Sequence, residues 1–401
     1  MGARHLQPID AKCPNCGERC LVKFYECTSV PAHSVLLFET KQEAIDFPTG
    51  DVSLAFCSAC QFITNTAFDQ ALEQYGAGYE ATQSFSPTFN AFHRQLAADL
   101  IDRYDLHGKS IIEIGCGQGE FLHLLCEMGD NHGIGFDPAY LPERASDLSS
   151  DRYQVIADYY SEKYADRSGD FVCCKQTLEH IPDTANFVQI VRRAIGDDVN
   201  TTVFFQVPDI TRILHEIAFW DIYYEHCSYF SGPSLHHLFD RNGFDVVASR
   251  LEYGEQYLMI ECKPTNGVRI TKAPAPTQAV ADDVRFFADH YEKRLAYWRS
   301  MLHELAEAGR RAVLWGGGSK AVAFLTSLKI GAEIDYAVDI NPHKHGTFLA
   351  GSGHRVLGPD ALKEYPPDLV IVMNPIYLEE VASAIRELGV QTDLKPVTAF
   401  S

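Results

Sequence analysis

The 401-residue chain has no run of 18 or more uncharged apolar residues, which excludes a helix long enough to span a bilayer. Its N-terminus, MGARHLQPIDAKC, lacks the apolar core of a signal peptide. The Met-Gly start also lacks the Ser or Thr that a myristoylation signal wants where Leu6 stands, and nothing polybasic supports anchoring. No long basic run offsets the formal net charge of −20, so a phosphate backbone would be repelled and nucleic acid is not an expected partner. These absences predict a soluble, cytoplasmic protein without a membrane partner. What the chain does have is 46% hydrophobic residues, enough to bury two or three cores at this length, and 12 cysteines. Without secretory signals, so many cysteines point to thiols and metal ligands rather than to a disulfide framework.

Two cysteine pairs are spaced for metal. CPNC (Cys13, Cys16) and CSAC (Cys57, Cys60) stand forty residues apart, and two such tight turns can set four thiolates tetrahedrally about one zinc ion. Four thiolates leave no open coordination position, so the expected role is structural. Cys20 and Cys27 fall outside the paired spacing and are expected in small apolar sites.

A second segment begins near Tyr75 with a helical pattern through FHRQLAADLIDRY, followed by SIIEIGCGQGEFLHLLCEMG. Ile111 to Ile114 read as a buried parallel strand, the glycines as a tight turn and Glu120 to Met128 as a helix. A dinucleotide fingerprint would want glycine at 115, 117 and 120, but position 120 is Glu and the third glycine is Gly119. Glu113, inside the strand end, suits a bound cation, and S-adenosylmethionine carries a sulfonium and an ammonium. Asp137, closing GIGFDP, suits ribose hydroxyls; Asp158, closing VIAD, suits an adenine amino group. The expected cofactor set is therefore Glu113, Gly115, Gly117, Gly119, Asp137 and Asp158. Further strands end near Lys175 and at Pro208, and His180, Asp209 and the segment around His226 follow them, where ligands of open α/β sheets sit.

After the linker KPTNGVRITKAPAPTQ, a long helix shows Val284, Ala288, Tyr291, Leu295, Trp298, Leu302 and Leu305 at spacings of three and four and stops at Gly309. RAVLWGGGSKAVAFL is again strand, glycine turn and helix. Gly316, Gly318 and Ala321 match GxGxxA, and Asp339 lies eighteen residues beyond. The signal specifies a phosphate or nucleotide more firmly than it specifies NAD. Lys344 lies in a cationic loop, PHKHGTFLAGSGHR.

The order CxxC, CxxC, ExGxGxG, EHIPD, VPD, YYEHCSYFS, GGGSKA, DINPHKHG resembles that of the zinc-containing, S-adenosylmethionine-dependent C-methyltransferases acting on nucleotide-linked keto-deoxysugars in antibiotic and surface-polysaccharide pathways. The resemblance covers nearly the whole chain. It implies an α/β protein with an N-terminal zinc-binding module (1–74), a central class I, Rossmann-like methyltransferase domain (75–265), a linker and connecting helix (266–310) and a C-terminal Rossmann-like substrate-binding lobe (311–401). It implies S-adenosyl-L-methionine and structural zinc on Cys13, Cys16, Cys57 and Cys60, with a nucleotide-linked sugar as the small-molecule substrate.

By the same resemblance, the family's YHEHxSYF segment falls on Tyr223 to Phe230. His226 would be the general base, Tyr223 would assist and Glu225 would orient the substrate. His180 matches the histidine after strand four, and Tyr79 the tyrosine preceding the methyltransferase domain. A neutral imidazole is a suitable base near pH 7 for an α-proton beside a ketone, and a tyrosine hydroxyl or a protonated His180 would stabilise the enolate. The C-terminal lobe would contribute Gly316, Gly318, Lys320 and Lys344. Two positions depart from the family: Tyr224 replaces the first histidine of YHEH and is expected to face the substrate, and YEATQSFSPTF replaces a serine-rich stretch. A non-sugar acceptor methylated on carbon, nitrogen or oxygen, an NAD-dependent oxidoreductase and a zinc-stabilised binding protein are the competing readings.

Overall fold

The computed structural model describes residues 6–73, 78–144, 150–265 and 278–400. The boundary at 74/75, with Tyr75, and most of the 263–278 linker lie outside them. Among the described residues three sheets form. The first takes β1 (Gln7–Ile9), β2 (Leu21–Pro31), β3 (Thr49–Cys57) and β4 (Ile63–Asn65), each antiparallel to the next. The β2/β3 register sets Leu21 opposite Cys57, which brings both CxxC turns to the same end of the sheet.

The central sheet contains β5 (Ser110–Ile114), β6 (His132–Phe136), β7 (Tyr153–Ile156), β8 (Phe171–Lys175) and β9 (Thr202–Pro208), all parallel. The chain then leaves it: β10 (Ser228–Tyr229) pairs antiparallel with β4 and completes the first sheet. The chain returns as β11 (Phe244–Glu252) and β12 (Tyr257–Pro264), giving the order β11-β12-β9-β8-β5-β6-β7 with β12 antiparallel to both neighbours. This is the class I methyltransferase topology. The order reverses between β5 and β8, so a crevice opens beyond their carboxyl ends. YYEHCSYFS is thus partly a strand of the cysteine-bearing module and partly a segment over that crevice.

The long helix runs Gln278–Glu307 and buries all seven residues of the predicted stripe. Its face packs into a core that also takes Phe24 and Tyr25 from β2, Trp220 from the segment before β10, Phe324 from the helix Ser319–Leu328 and Ile371 from the third sheet. That sheet holds β13 (Ala312–Trp315), β14 (Ala337–Val338), β15 (Val356–Leu357), β16 (Leu369–Val372) and β17 (Asp393–Pro396), all parallel in the order β15-β14-β13-β16-β17. One continuous hydrophobic core therefore spans first and third segments, which holds the C-terminal glycine turn against the crevice. No described helix is long and apolar enough to cross a membrane.

Candidate functional site

Sγ atoms of Cys13, Cys16, Cys57 and Cys60 lie within 4.8 Å of one another, with Cys13–Cys60 at 3.7 Å and Cys16–Cys57 at 3.6 Å. Zn–S bonds of about 2.3 Å set tetrahedral sulfurs roughly 3.8 Å apart, so the four residues fit one such ion. The buried Asn15 amide donates to Cys60 Sγ at 3.5 Å, the outer-layer bond that a thiolate ligand attracts. Cys20 corrects an expectation: it is not in an apolar site of its own, because the β2/β3 register puts its Sγ 3.4 Å from that of Cys57.

At the central sheet the turn after β5 is built for close approach. Gly115 has φ +70°, and a Cβ there would run into the Thr177 side chain. Gly117 N–H donates to Asp137 at 2.8 Å, and Ala139 N–H donates to the other carboxylate oxygen at 2.8 Å. Gly119 caps the helix Glu120–Gly129. Glu113 is 1% exposed; one oxygen meets Lys175 Nζ at 3.3 Å and the other has no hydrogen-bond partner. Burial raises its carboxyl to about 6 against the pull of Lys175. A buried, half-satisfied carboxylate beside a glycine turn fits a cationic cofactor and not a pyrophosphate.

Between the central domain and the C-terminal lobe lies a cavity of about 310 Å³. Tyr79, His180, Tyr223, Glu225 and His226 line it from one side, and Gly316, Gly318, Lys320 and Lys344 from the other. The His226 ring stands 4.5 Å from Tyr223 and 4.8 Å from His180, centroid to centroid. Its Nδ1 has no hydrogen-bond partner, and burial holds its pKa well below the usual imidazole range, so the ring is neutral. Tyr223 O–H donates to Asp221 at 3.1 Å; Asp221 in turn pairs with Arg212 at 2.7 Å and closely with Lys320 from the C-terminal lobe. Glu225 accepts from Ser34 N–H at 3.0 Å and from the Ser34 hydroxyl, which lies 2.8 Å from Ser319 Oγ. Burial raises Glu225 to about 7. All three segments thus clamp the stretch 223–226.

Three site expectations are corrected. Tyr224 does not face the cavity: it is 1% exposed, packs its ring over Gly50 and Phe68, and bonds through its hydroxyl to the backbone of Asp69. Its neighbour Tyr223 points the other way. Asp158 does not present a free carboxylate for adenine, since it accepts from Lys163 at 2.8 Å, Tyr164 at 2.7 Å and the Tyr159 N–H. His180 is not protonated: burial, helped by His33, lowers it to about 4. Asp339 accepts from Gly317 N–H at 2.9 Å and Asn341 N–H at 2.8 Å, as Asp137 does from its own turn, and in addition from Lys344 at 3.2 Å. Sequence reasoning missed Ser34, Asp221 and Glu179. PAHS, a polar pair inside the cysteine module, was the available signal for Ser34.

Residues 89–249 match the family described as Methyltransferase domain, and residues 278–392 the family described as C-methyltransferase C-terminal domain. The C-methyltransferase NovU of Streptomyces niveus is 25% identical over 403 residues, spanning 95% of this chain and 93% of that protein. A ubiquinone biosynthesis O-methyltransferase of Hahella chejuensis is 30% identical over 122 residues, 29% of this chain and 50% of its own length. A solved Burkholderia thailandensis 1,6-didemethyltoxoflavin N1-methyltransferase overlays 43% of this chain and 79% of its own at TM-score 0.35 and 15% identity, too distant an overlay to argue from. Joined to the sheet order and the acidic glycine turn, the two family matches identify the chain as an S-adenosylmethionine-dependent methyltransferase.

Proposed function

We propose that the enzyme C-methylates a nucleotide-linked keto-deoxysugar in a natural-product or polysaccharide pathway. The observation that carries this reading is the cavity in which His226 and Tyr223 face a lysine-bearing glycine turn from the other lobe. The turn, with Lys320 and Lys344, suits the anionic nucleotide end, leaving the sugar to reach His226. Glu113, Gly115, Gly117 and Asp137 would hold the cofactor, whose sulfonium methyl is the electrophile.

Neutral His226 takes the proton from the carbon beside the ketone. Its lowered pKa makes a lone imidazolium costly, but here the cation forms together with the enolate, and the site has to hold the pair. Tyr223, fixed by the Asp221–Lys320–Arg212 cluster, assists at the edge of the His226 ring, while Glu225, fixed by Ser34, orients the sugar. The enolate carbon then accepts the methyl group, with positioning and exclusion of water supplying much of the rate.

We further propose that Cys13, Cys16, Cys57 and Cys60 hold structural zinc. Cys57→Ser should then lose the metal and lower the melting temperature; a zinc-free variant with wild-type stability would refute the assignment. The substrate reading is tested with methyl-labelled S-adenosylmethionine and a panel of nucleotide-linked 4-keto-deoxysugars in deuterated water. Deuterium at an α-carbon together with a new carbon-bound methyl is the expected product. Cofactor binding with no exchange and no methyl transfer on any sugar would move the search to other acceptors.

A further inference from the structure

Glu179 is a buried titratable group that the mechanism above leaves unused. It sits in the turn Leu178–His180 directly after β8, lines the cavity and is 1% exposed. Neither carboxylate oxygen has a hydrogen-bond partner. Its side chain stands with those of His180 and His226, one polar atom from each lying within 4.8 Å of the others. A buried carboxylate left unpaired is among the most costly arrangements a protein can hold, so the group is either neutral or completed by what enters the cavity.

The neighbours decide between these. Glu179 acts electrostatically on Cys174 of β8, Tyr257 of β12, Tyr79 before the Pro87–Tyr104 helix and Cys227 before β10, and His180 and His226 stand beside it. Burial raises the Cys174 thiol and the Tyr79 hydroxyl far up and brings Tyr257 and Cys227 each to about 12. His180 and His226 are held neutral. These neighbours are thus uncharged near pH 7, and among the described residues no lysine or arginine pairs with Glu179. The acid form is favoured, and burial raises the group to about 8. Its O–H then has no hydrogen-bond acceptor among the described residues and stands beside the ring assigned as base.

Resting on the function proposed above, we propose that Glu179 is a further catalytic residue: as the neutral acid it donates a hydrogen bond to the acceptor's carbonyl oxygen while His226 removes the α-proton. The C–H bond breaks, its electrons form the enolate, the proton resides on His226 and the Glu179 proton stays on Glu179, shared with the enolate oxygen. When the carbon takes the methyl group, the carbon–sulfur bond that carried it would break with its electron pair left on sulfur as a thioether, the carbonyl reforms, and the proton on His226 leaves to solvent. The device is a carboxylic acid kept neutral by an apolar site so that it can serve an oxyanion. It fills the role that a neutral His180 cannot fill as a cation.

The test is solvent-deuterium exchange into the keto-sugar panel without methyl transfer, followed against pH for the wild type, Glu179→Gln and Glu179→Leu, with cofactor affinity measured for each. In the wild type, exchange should fall as pH rises through about 8, where the donor ionises. Glu179→Gln keeps an N–H donor and cannot ionise; it should run about tenfold slower and lose the alkaline fall. Glu179→Leu should lose roughly 100-fold or more of the exchange, with cofactor affinity within about threefold. Wild-type exchange in Glu179→Leu, or an inactive Glu179→Gln showing that the anion is required, would overturn the proposal. If the wild type exchanges no sugar at all, the substrate reading alone fails. Carbon-13 carboxyl titration of the free protein then judges Glu179: ionisation complete by pH 7 overturns the proposal, and a neutral group up to about pH 8 sustains it.

Discussion

The two glycine turns, after β5 and after β13, are nearly the same device. Gly115 N–H donates to Phe136 O and Gly316 N–H to Val338 O, in each case the end of the neighbouring strand. Asp137 accepts from Gly117 N–H and Ala139 N–H; Asp339 accepts from Gly317 N–H and Asn341 N–H, with matching distances of 2.8 to 2.9 Å. What differs is charge. Two residues before the first glycine stands Glu113 in one turn and Leu314 in the other; four residues after it stands Gly119 in one and Lys320 in the other. Lys344 then closes on Asp339, with no lysine on Asp137 among the hydrogen bonds of the first turn. One backbone frame therefore carries a buried acid at one turn and lysines at the other, which on the function proposed above suits a cation at the first and an anion at the second, and the glycine pattern alone distinguishes neither.

If the turns bind and the cavity between them reacts, the largest effect belongs to neither turn. His226→Ala should lower turnover by about 10³-fold or more while both ligands keep their affinities. Loss of cofactor binding in that variant would make His226 a structural residue. Next comes Gly115→Ala, which forces a side chain at φ +70° into Thr177 and should weaken cofactor binding by about 100-fold, whereas Gly318→Ala meets only Lys344 Nζ at 3.5 Å and should leave the cofactor untouched. Calorimetric titration separates the two. Lys344→Gln should weaken a nucleotide diphosphate probe by about tenfold without changing cofactor affinity. An equal loss of both ligands would dissolve the distinction between the turns.

Strand ends, glycine turns and the stripe of the long helix were legible because each is a local pattern. The site was legible only where one residue's direction did not matter. Tyr223 and Tyr224 are adjacent and chemically alike, yet one enters the cavity and the other packs over Gly50, a contact set by β10 pairing with β4 across more than 160 residues. No local pattern encodes that pairing. Asp158 fails differently: its partners Lys163 and Tyr164 are five and six residues on, close enough to have been read as competitors for its carboxylate. Cys20 was separated from the cysteine pairs by spacing, although the strand register puts it beside Cys57. Glu179 was visible in EHIPD, but its lack of any partner is a property of packing.

The smallest effect is the most specific to the acidic turn. Burial raises Glu113 to about 6 in the free protein, so at pH 5 the group is mostly protonated and a cationic cofactor must first displace the proton. Cofactor affinity should therefore be flat above pH 7 and fall below about 6, by up to tenfold per pH unit. The fold responds with the opposite sign. A carboxyl whose folded pKa is raised favours folding most while it is still protonated in the unfolded chain, and that advantage is lost as pH rises toward about 6. Warming the cofactor-free protein should thus show Glu113 lowering stability from pH 4.5 to 6.5 relative to Glu113→Gln, while the stabilisation gained from added cofactor grows over the same interval and is blunted in that variant. A nucleotide diphosphate bound at the basic turn should show no such crossing. If both ligands followed the same pH course, Glu113 would be an ordinary buried acid and the charge difference between the turns would not explain which ligand each one takes.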